Sequence, residues 1–317
     1  MANLNSSYRF RISRIFITKC PFLIGLIFAA QIFWHASPAL GQLIVAHRGA
    51  SAVAPENSLS AFQLAWDEGA DAIEGDFYLT ADNQIVCIHD ETTKRVSGVD
   101  LNVAGSTLDQ LQQLDVGTWK DNRFAKERIP TLEDVLAMIP HGKQFFIEIK
   151  CGPEIIPFLK NTLLNSGVPT KQLKIISFNE EVVREAKQSL PDIEAFWLVS
   201  FKEDKEEKTW TPPVGKIIAI ASQIDADGVD VKAELEVVDS NFVNQCRNAG
   251  FSLHAWTVDD PAVAWQLQQL GFDSITTNCP KYLRESLSEL ADSEQQILLP
   301  TGRNTVPTTV KQGVGVE

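Results

Sequence analysis

The sequence predicts a single (β/α)8 barrel: parallel strands closed into a ring, each followed by a helix. Three observations lead there. Short β-rich apolar runs alternate with segments of helical period from Leu43 onward. About eight such units fit into about 250 residues, the order and length of that barrel. Reactive side chains recur where the strands run out, the end at which such barrels hold their sites. A doubly wound open sheet is the runner-up, but no glycine fingerprint for a dinucleotide follows the first strand.

The first strand is expected at Leu43 to His47. A helix follows from Asn57 to Glu68, with apolar positions at Leu59, Phe62, Leu64, Ala65 and Trp66. Asn57, two residues after Pro55, is a candidate N-cap for it. Ala72 to Leu79 reads as strand, Ala81-Asp82-Asn83 supplies turn chemistry, and Ile85 to Ile88 runs extended again. Helical pieces are expected at Thr107 to Leu114 and Thr131 to Ile139, the latter opened by a capping pair, Thr131 and Asp134.

The next strand is Gln144 to Lys150, with a helix at Pro153 to Asn165. Leu173 to Phe178 and Ile193 to Val199 are strands around a helix at Glu180 to Gln188. Lys202 to Lys208 reads as a charged loop before a helix at Val214 to Gln223. Strands at Gly228 to Val231, Phe251 to Thr257 and Ser274 to Thr276 then alternate with helices at Asn241 to Asn248, Pro261 to Gln269 and Tyr282 to Leu290. The barrel domain is therefore placed at 42–290, with a disordered tail at 291–317, because the last stretch is polar and lacks period.

Composition narrows the function classes. Of 317 residues, 44% are hydrophobic and 22% charged, a globular balance with enough chain for a large core. A formal net charge of −13 without a basic run argues against a nucleic-acid partner. Residues 1–41 hold Arg9, Arg11, Arg14 and Lys19 and no acid, so removing those charges would leave −17. Their order is that of a secretory signal: a basic start, an apolar run from Pro21 to Trp34, then Ala36, Ala39 and Gly41. That run of 14 residues is short against the roughly 20 of a membrane span. The expectation is a cleaved leader and an exported, periplasmic or secreted enzyme. The alternative is an N-terminal anchor from Ile15 to Trp34, with Lys19 inside it and membrane contact only through that segment. Cys20 belongs to the leader. Cys87, Cys151, Cys246 and Cys279 lack the close spacings that bind zinc, and are read as small hydrophobes, although export would permit pairing.

Glu74 and Asp76 are the sharpest chemical signal. Alternation puts both on one face of a strand, about 6.6 Å apart along the chain. Burying two like charges is costly unless a cation compensates, so Glu-x-Asp in a core strand points to a hard, oxygen-liganded metal. Glu148 and Lys150 likewise share a face amid Phe145, Phe146, Ile147 and Ile149. His47-Arg48, His89-Asp90 and Trp256-Thr257 close other strands. Singly these have plain readings: a core histidine, an internal ion pair, a core aromatic, with His254 a lumen residue without chemical duty and His141 a solvated loop residue. Together at strand ends they imply a metal and an anion.

The chain resembles the glycerophosphodiester phosphodiesterase family through AHRGASAVAPENSLSAF, AIEGDFYLTADNQIVCIHD, LDVGTWKDNRFAKERIPTLEDVL, FFIEIK, ISFN, HAWTV and TTNCP, spread over Leu43 to Leu287. The resemblance implies a (β/α)8 barrel that hydrolyses glycerophosphodiesters to glycerol 3-phosphate and an alcohol with a divalent cation, Mg²⁺ or Ca²⁺. By motif position Glu74, Asp76 and Glu148 would be its ligands, His47 and His89 its acid/base pair, and Arg48 and Lys150 its phosphate contacts. Asn278 departs from the Asp of a T-D-x-P pattern and removes a charge. Trp256 would wall the glycerol carbons. Arg48 opposes a positive ring at His47 and Asp90 supports one at His89, so His47 is assigned as base and His89 as acid.

Two other readings share the barrel. A phospholipase D-like or phosphoinositide-cleaving enzyme would need a lipid-docking surface, and the charged segment from Val99 to Arg128 has only Trp119 and Phe124 as aromatics. A noncatalytic phosphate-binding barrel could dispense with the proton-transfer pair, yet both histidines are present.

Overall fold

Strand β1 (Leu43–His47) pairs in parallel on both sides, with Ala46 opposite Thr277 on one edge and His47 opposite Glu74 on the other. A strand bonded on both edges whose neighbours lead back to it closes a ring. The computed structural model describes residues 42–298. Its strands continue as β2 (Ala72–Leu79), β3 (Ile85–Cys87), β4 (Gln144–Ile149), β5 (Leu173–Ser177), β6 (Glu194–Val199), β7 (Lys202–Asp204), β8 (Thr209–Thr211), β9 (Gly228–Lys232), β10 (Ser252–Trp256) and β11 (Ser274–Thr277). The ring runs β1-β11-β10-β9-β6-β5-β4-β2 and back to β1, every pairing parallel. This is the expected closed barrel.

Alternation along the strands makes two cores. Ile73, Phe145, Ile147, Ile175, Val229 and Leu253 face outward and pack against the helices, with Phe62 from Leu59–Asp67 and Leu159 from Ile156–Asn165 among their partners. Each such burial contributes about 1.5–3 kcal/mol. Inward, Val45, Phe146, Ile176, Phe196 and Leu198 fill the lumen. His254 stacks on Phe196 with ring centroids 4.1 Å apart. Its ring nitrogens meet Ser274 Oγ at 2.7 Å and Ser252 Oγ at 3.1 Å, and burial pushes its pKa down to about 4. It is thus a neutral lumen residue, as expected, and the plugged lumen forms a floor beneath the strand C-termini.

Departures from the expected elements have local causes. Ser58, not Asn57, caps the first helix: its side chain accepts from Ala61 N, while Asn57 takes the left-handed conformation at φ 55°. The expected loop at Lys202 to Lys208 belongs to a hairpin, β7 with β8 antiparallel. Asp204 Oδ1 accepts from the backbone N–H of Glu206 and Glu207 and turns the chain; with Trp210 the one apolar residue of the two strands, there is no apolar alternation to read. Between β3 and β4 the helices shorten to Leu108–Leu111 and Leu132–Leu136, with an unexpected turn of helix at Lys94–Ser97. Thr131 and Asp134 do form the capping box. The final helix, Pro280–Leu298, runs past the end expected at Leu290 into the segment assigned to a tail. His141 is exposed in its loop. The leader at 1–41 and the rest of the tail, 299–317, lie outside the described residues. No helix among the described residues is long and apolar enough to cross a membrane. Cys87, Cys151, Cys246 and Cys279 are free thiols.

Candidate active site

Adjacent strands in register bring three carboxyls together. His47 lies opposite Glu74, and Asp76 opposite Glu148, so β1, β2 and β4 present their inward side chains at one level. Glu74, Asp76 and Glu148 are buried, and each offers an oxygen within 4.8 Å of the others. Burial first, then repulsion from Asp76 and Glu148, holds Glu74 well above the usual carboxyl range. Burial and the Asp76 charge push Glu148 up to about 7 against the pull of Lys150. Asp76 stays low because Arg48 and Lys150 outweigh its burial. Glu74 Oε1 is buried and has no hydrogen-bond donor among the described residues. A compact oxygen set with an unpaired member fits a hard divalent cation.

The loop after β1 supplies the cationic side. Arg48 adopts φ 55° and Gly49 φ 79°. A Cβ on Gly49 would sit 2.5 Å from the Ala61 carbonyl carbon, so glycine lets the loop lie against the first helix. The turn aims Arg48 N at Glu74 Oε2 (2.9 Å) and brings Arg48 Nε within 3.1 Å of Asp76 Oδ2. Lys150 Nζ lies 2.7 Å from Glu148 Oε1 and 3.3 Å from Asp76 Oδ1. Asn57 stitches this together: its Nδ2 donates to Asp76 Oδ2 (2.8 Å), and its Oδ1 accepts from Asp76 N (3.2 Å) and Cys87 Sγ (3.2 Å). Sequence reasoning placed Asn57 on the helix and missed this duty.

His47 is oriented by residues far away in the chain. Its Nδ1 meets Asn278 Oδ1 at 2.7 Å. Asn278 Nδ2 donates to Asp259 Oδ2 at 2.6 Å, and Asn278 N donates to Asp259 Oδ1 at 2.8 Å. A carboxylate only accepts, so the amide must turn its NH₂ to Asp259 and its oxygen to His47. The proton of His47 therefore sits on Nδ1 and leaves Nε2 bare. Burial, reinforced by the Arg48 charge, lowers the pKa of His47. Asn278, the departure noted in the sequence, is thus a working contact.

His89 follows β3 on the other side. Its Nδ1 lies 2.6 Å from Asp90 Oδ1, and Asp90 is bonded in turn by Arg95 Nε at 2.6 Å. Burial works against ionisation of Asp90, but Arg95 and His89 hold it below the usual carboxylate range. Arg95 also pairs with Glu56, which pairs with Arg48. One charged chain, absent from the sequence reading beyond Arg48 and Asp90, thus ties the His89 loop to the His47 loop.

These groups open on a cleft lined by His47, Arg48, His89 and Lys150 on one side and Phe178, Trp256 and Asp230 on the other. Glu74 and Glu148 also line it, so every expected site residue except the deeper Asp76 reaches the cleft directly. Trp256 is fixed by donation from its Nε1 to Asp230 O (3.1 Å) and by an edge contact with Phe178 at 5.4 Å. Phe178, with 45% of its surface exposed, and Asp230 went unassigned in the sequence, although both end or follow inner strands.

The family model for the glycerophosphoryl diester phosphodiesterase family matches residues 47–282, spanning His47 and every residue named here for the site. The chain belongs to this family. Among relatives of this phosphodiesterase, the glycerophosphodiester phosphodiesterase of Caldanaerobacter subterraneus subsp. tengcongensis is 31% identical over 246 residues, covering 76% of this chain and 96% of its own. That of Bacillus subtilis is 28% identical, covering 75% of this chain and 84% of its own. In fold it is similar to a phosphodiesterase of Oleispira antarctica solved with the product sn-glycerol-3-phosphate, with TM-score 0.68 and 26% identity over 78% of this chain and 97% of that one. Hydrolysis of glycerophosphodiesters is the activity of the family, and this chain is such a phosphodiesterase.

Proposed function

We propose that the enzyme hydrolyses glycerophosphodiesters to sn-glycerol 3-phosphate and an alcohol, with a divalent cation held by Glu74, Asp76 and Glu148 and with His47 and His89 moving the protons. The observation that carries this reading is the buried cluster of three carboxyls facing one cleft with two histidines and two cations. A cation bound there would offset negative charge on the nonbridging phosphoryl oxygens, as a Lewis acid does. Mg²⁺ and Ca²⁺ both suit an all-oxygen set.

Arg48 and Lys150 bind and orient the phosphodiester monoanion; both stay charged because the acids around them raise their pKa values against burial. His47 accepts at Nε2 the proton of the attacking group, water or the neighbouring glycerol hydroxyl; in the second case water then opens the cyclic phosphate that forms to give glycerol 3-phosphate. His89 delivers a proton to the departing alkoxide from the nitrogen left free by Asp90. Trp256 and Phe178 exclude water along the carbon arm. The product-bound Oleispira antarctica relative supports a glycerol-phosphate ligand. Purified enzyme should release choline and glycerol 3-phosphate from glycerophosphocholine; no turnover of any glycerophosphodiester would overturn the reading.

Because His47 must be neutral to accept a proton and its pKa is lowered, kcat/KM should persist below pH 6.5 before its acid limb falls. Asn278→Asp adds a negative charge at the atom 2.7 Å from Nδ1, which favours the imidazolium. The acid limb should move up by about one pH unit. An unmoved limb in a folded variant would show that Asn278 does not govern His47.

We also propose export, on the strength of the leader's basic start, apolar run and small-residue end. N-terminal sequencing of protein from the source cell should begin close to Gln42. Recovery of intact Met1 from a soluble cytoplasmic fraction would exclude it.

A further inference from the structure

Asp230 is a buried acid that the chemistry above does not use. It is inward-facing on β9, opposite Leu198 of β6 and His254 of β10, and only 1% of its surface is exposed. Asp76, equally buried and likewise without a hydrogen bond at its Oδ1, is compensated by the cations Arg48 and Lys150 and by donation from Asn57 Nδ2. Asp230 has no such company. Its Oδ1 has no hydrogen-bond partner among the described residues. Burial, then the like charge of Glu148, pushes its carboxyl well above the usual range. An unsatisfied buried polar atom costs about 1–3 kcal/mol, so a barrel that only needed a lumen residue here would do better with Leu.

Its position says what the missing partner is. Asp230 lines the cleft on the side away from Arg48 and Lys150, so a ligand whose phosphate sits on those cations extends its carbon arm toward Asp230. The Trp256 ring stands beside it, held in place by Asp230's own carbonyl. An aromatic face for C–H groups next to a carboxyl for O–H groups is a pairing that fits a polyol. Phe178, exposed at the rim, packs edge-on against the Trp256 ring.

We propose that Asp230 binds the free hydroxyls of the retained glycerol arm and sets the preference for glycerol esters over phosphate esters without hydroxyls. The inference rests on the reading of the cleft as a phosphodiester site, and adds the residue that recognises the part all its substrates share. A carboxyl oxygen accepts from a hydroxyl, and the unpartnered Oδ1 of Asp230 offers such an acceptor.

The test is calorimetric binding of sn-glycerol 3-phosphate and of ethyl phosphate to the full chain in Mg²⁺ buffer, for wild type and Asp230→Leu. Wild type should prefer glycerol 3-phosphate, and the substitution should erase about 10- to 100-fold of that preference while leaving ethyl phosphate binding unchanged. Its thermal midpoint should rise, since an unpaired buried acid is replaced by an apolar side chain. Asp230→Ala gives the same comparison where the leucine variant does not fold. Equal or absent binding of the two ligands by wild type, an unaltered preference in the variant, or equal weakening of both ligands would overturn the proposal. Failure to hydrolyse glycerophosphocholine would count against the hydrolytic reading alone, because the binding ratio decides on Asp230 without turnover.

Discussion

Excess chelator should abolish glycerophosphocholine hydrolysis, and Mg²⁺ or Ca²⁺ should restore it. Formal charge decides the size of the effect. The three carboxyls Glu74, Asp76 and Glu148 face Arg48 and Lys150, so with all of them ionised the cluster keeps one negative charge and repels a phosphodiester monoanion. A divalent cation turns that balance to one positive charge. Burial and mutual repulsion raise the pKa values of Glu74 and Glu148, the same deficit that a bound cation would offset. Losing several kcal/mol of charge stabilisation corresponds to roughly a 10³-fold or greater fall in rate. Glu74→Ala and Glu148→Ala should behave like chelation while the barrel still folds, because each also relieves repulsion among the remaining acids. A readout independent of turnover is available: at 100 times its Kd, a cation binding only the folded chain adds about 2.7 kcal/mol to stability. The wild-type melting point should therefore rise with added cation, and the Glu148→Ala melting point should not. Full activity in excess chelator would end the metal reading.

Much of this site was legible before any coordinates, for reasons of local periodicity. Glu74 and Asp76 share a strand face whatever the fold around them, and so do Glu148 and Lys150; strand ends then place His47 and Trp256 at the same rim. What the sequence withheld were relations that only closure of the ring creates. Asn278 reaches His47 across 231 positions because β11 pairs with β1. Asp259 follows β10 and locks the Asn278 amide because β10 lies beside β11. Asn57 and Ser58 are both favoured cap residues and look interchangeable in sequence; a left-handed backbone frees the Asn57 side chain for Asp76 and leaves the cap to Ser58. The hairpin of β7 and β8 is hard to read because Trp210 is its one apolar residue, too little to set up an alternation. Asp230 looked like one more acid until the barrel left its Oδ1 without a partner.

His47→Ala and His89→Ala should each lower kcat on glycerophosphocholine by roughly 10²- to 10⁴-fold, the range for general acid–base catalysis. Neither ring belongs to the carboxyl cluster, so cation affinity should change little. The two losses differ in origin. The Nδ1 proton of His47 is held by Asn278, its pKa is lowered by burial and Arg48, and its ring lines the cleft with Nε2 left bare, as a base requires. His89 lines the same cleft and is fixed through Nδ1 by Asp90, which leaves its other nitrogen free. A p-nitrophenyl ester of glycerol phosphate separates the duties, because its leaving group departs without a proton. On that ester His89→Ala should recover most of the lost rate, whereas His47→Ala should stay impaired, since the attacking group must still be deprotonated. If His47→Ala is the variant that recovers, the roles are reversed. If His89→Ala loses equally on both esters, His89 does not protonate the leaving group, and its bond to Asp90 serves to hold the loop joined through Arg95 and Glu56 to Arg48.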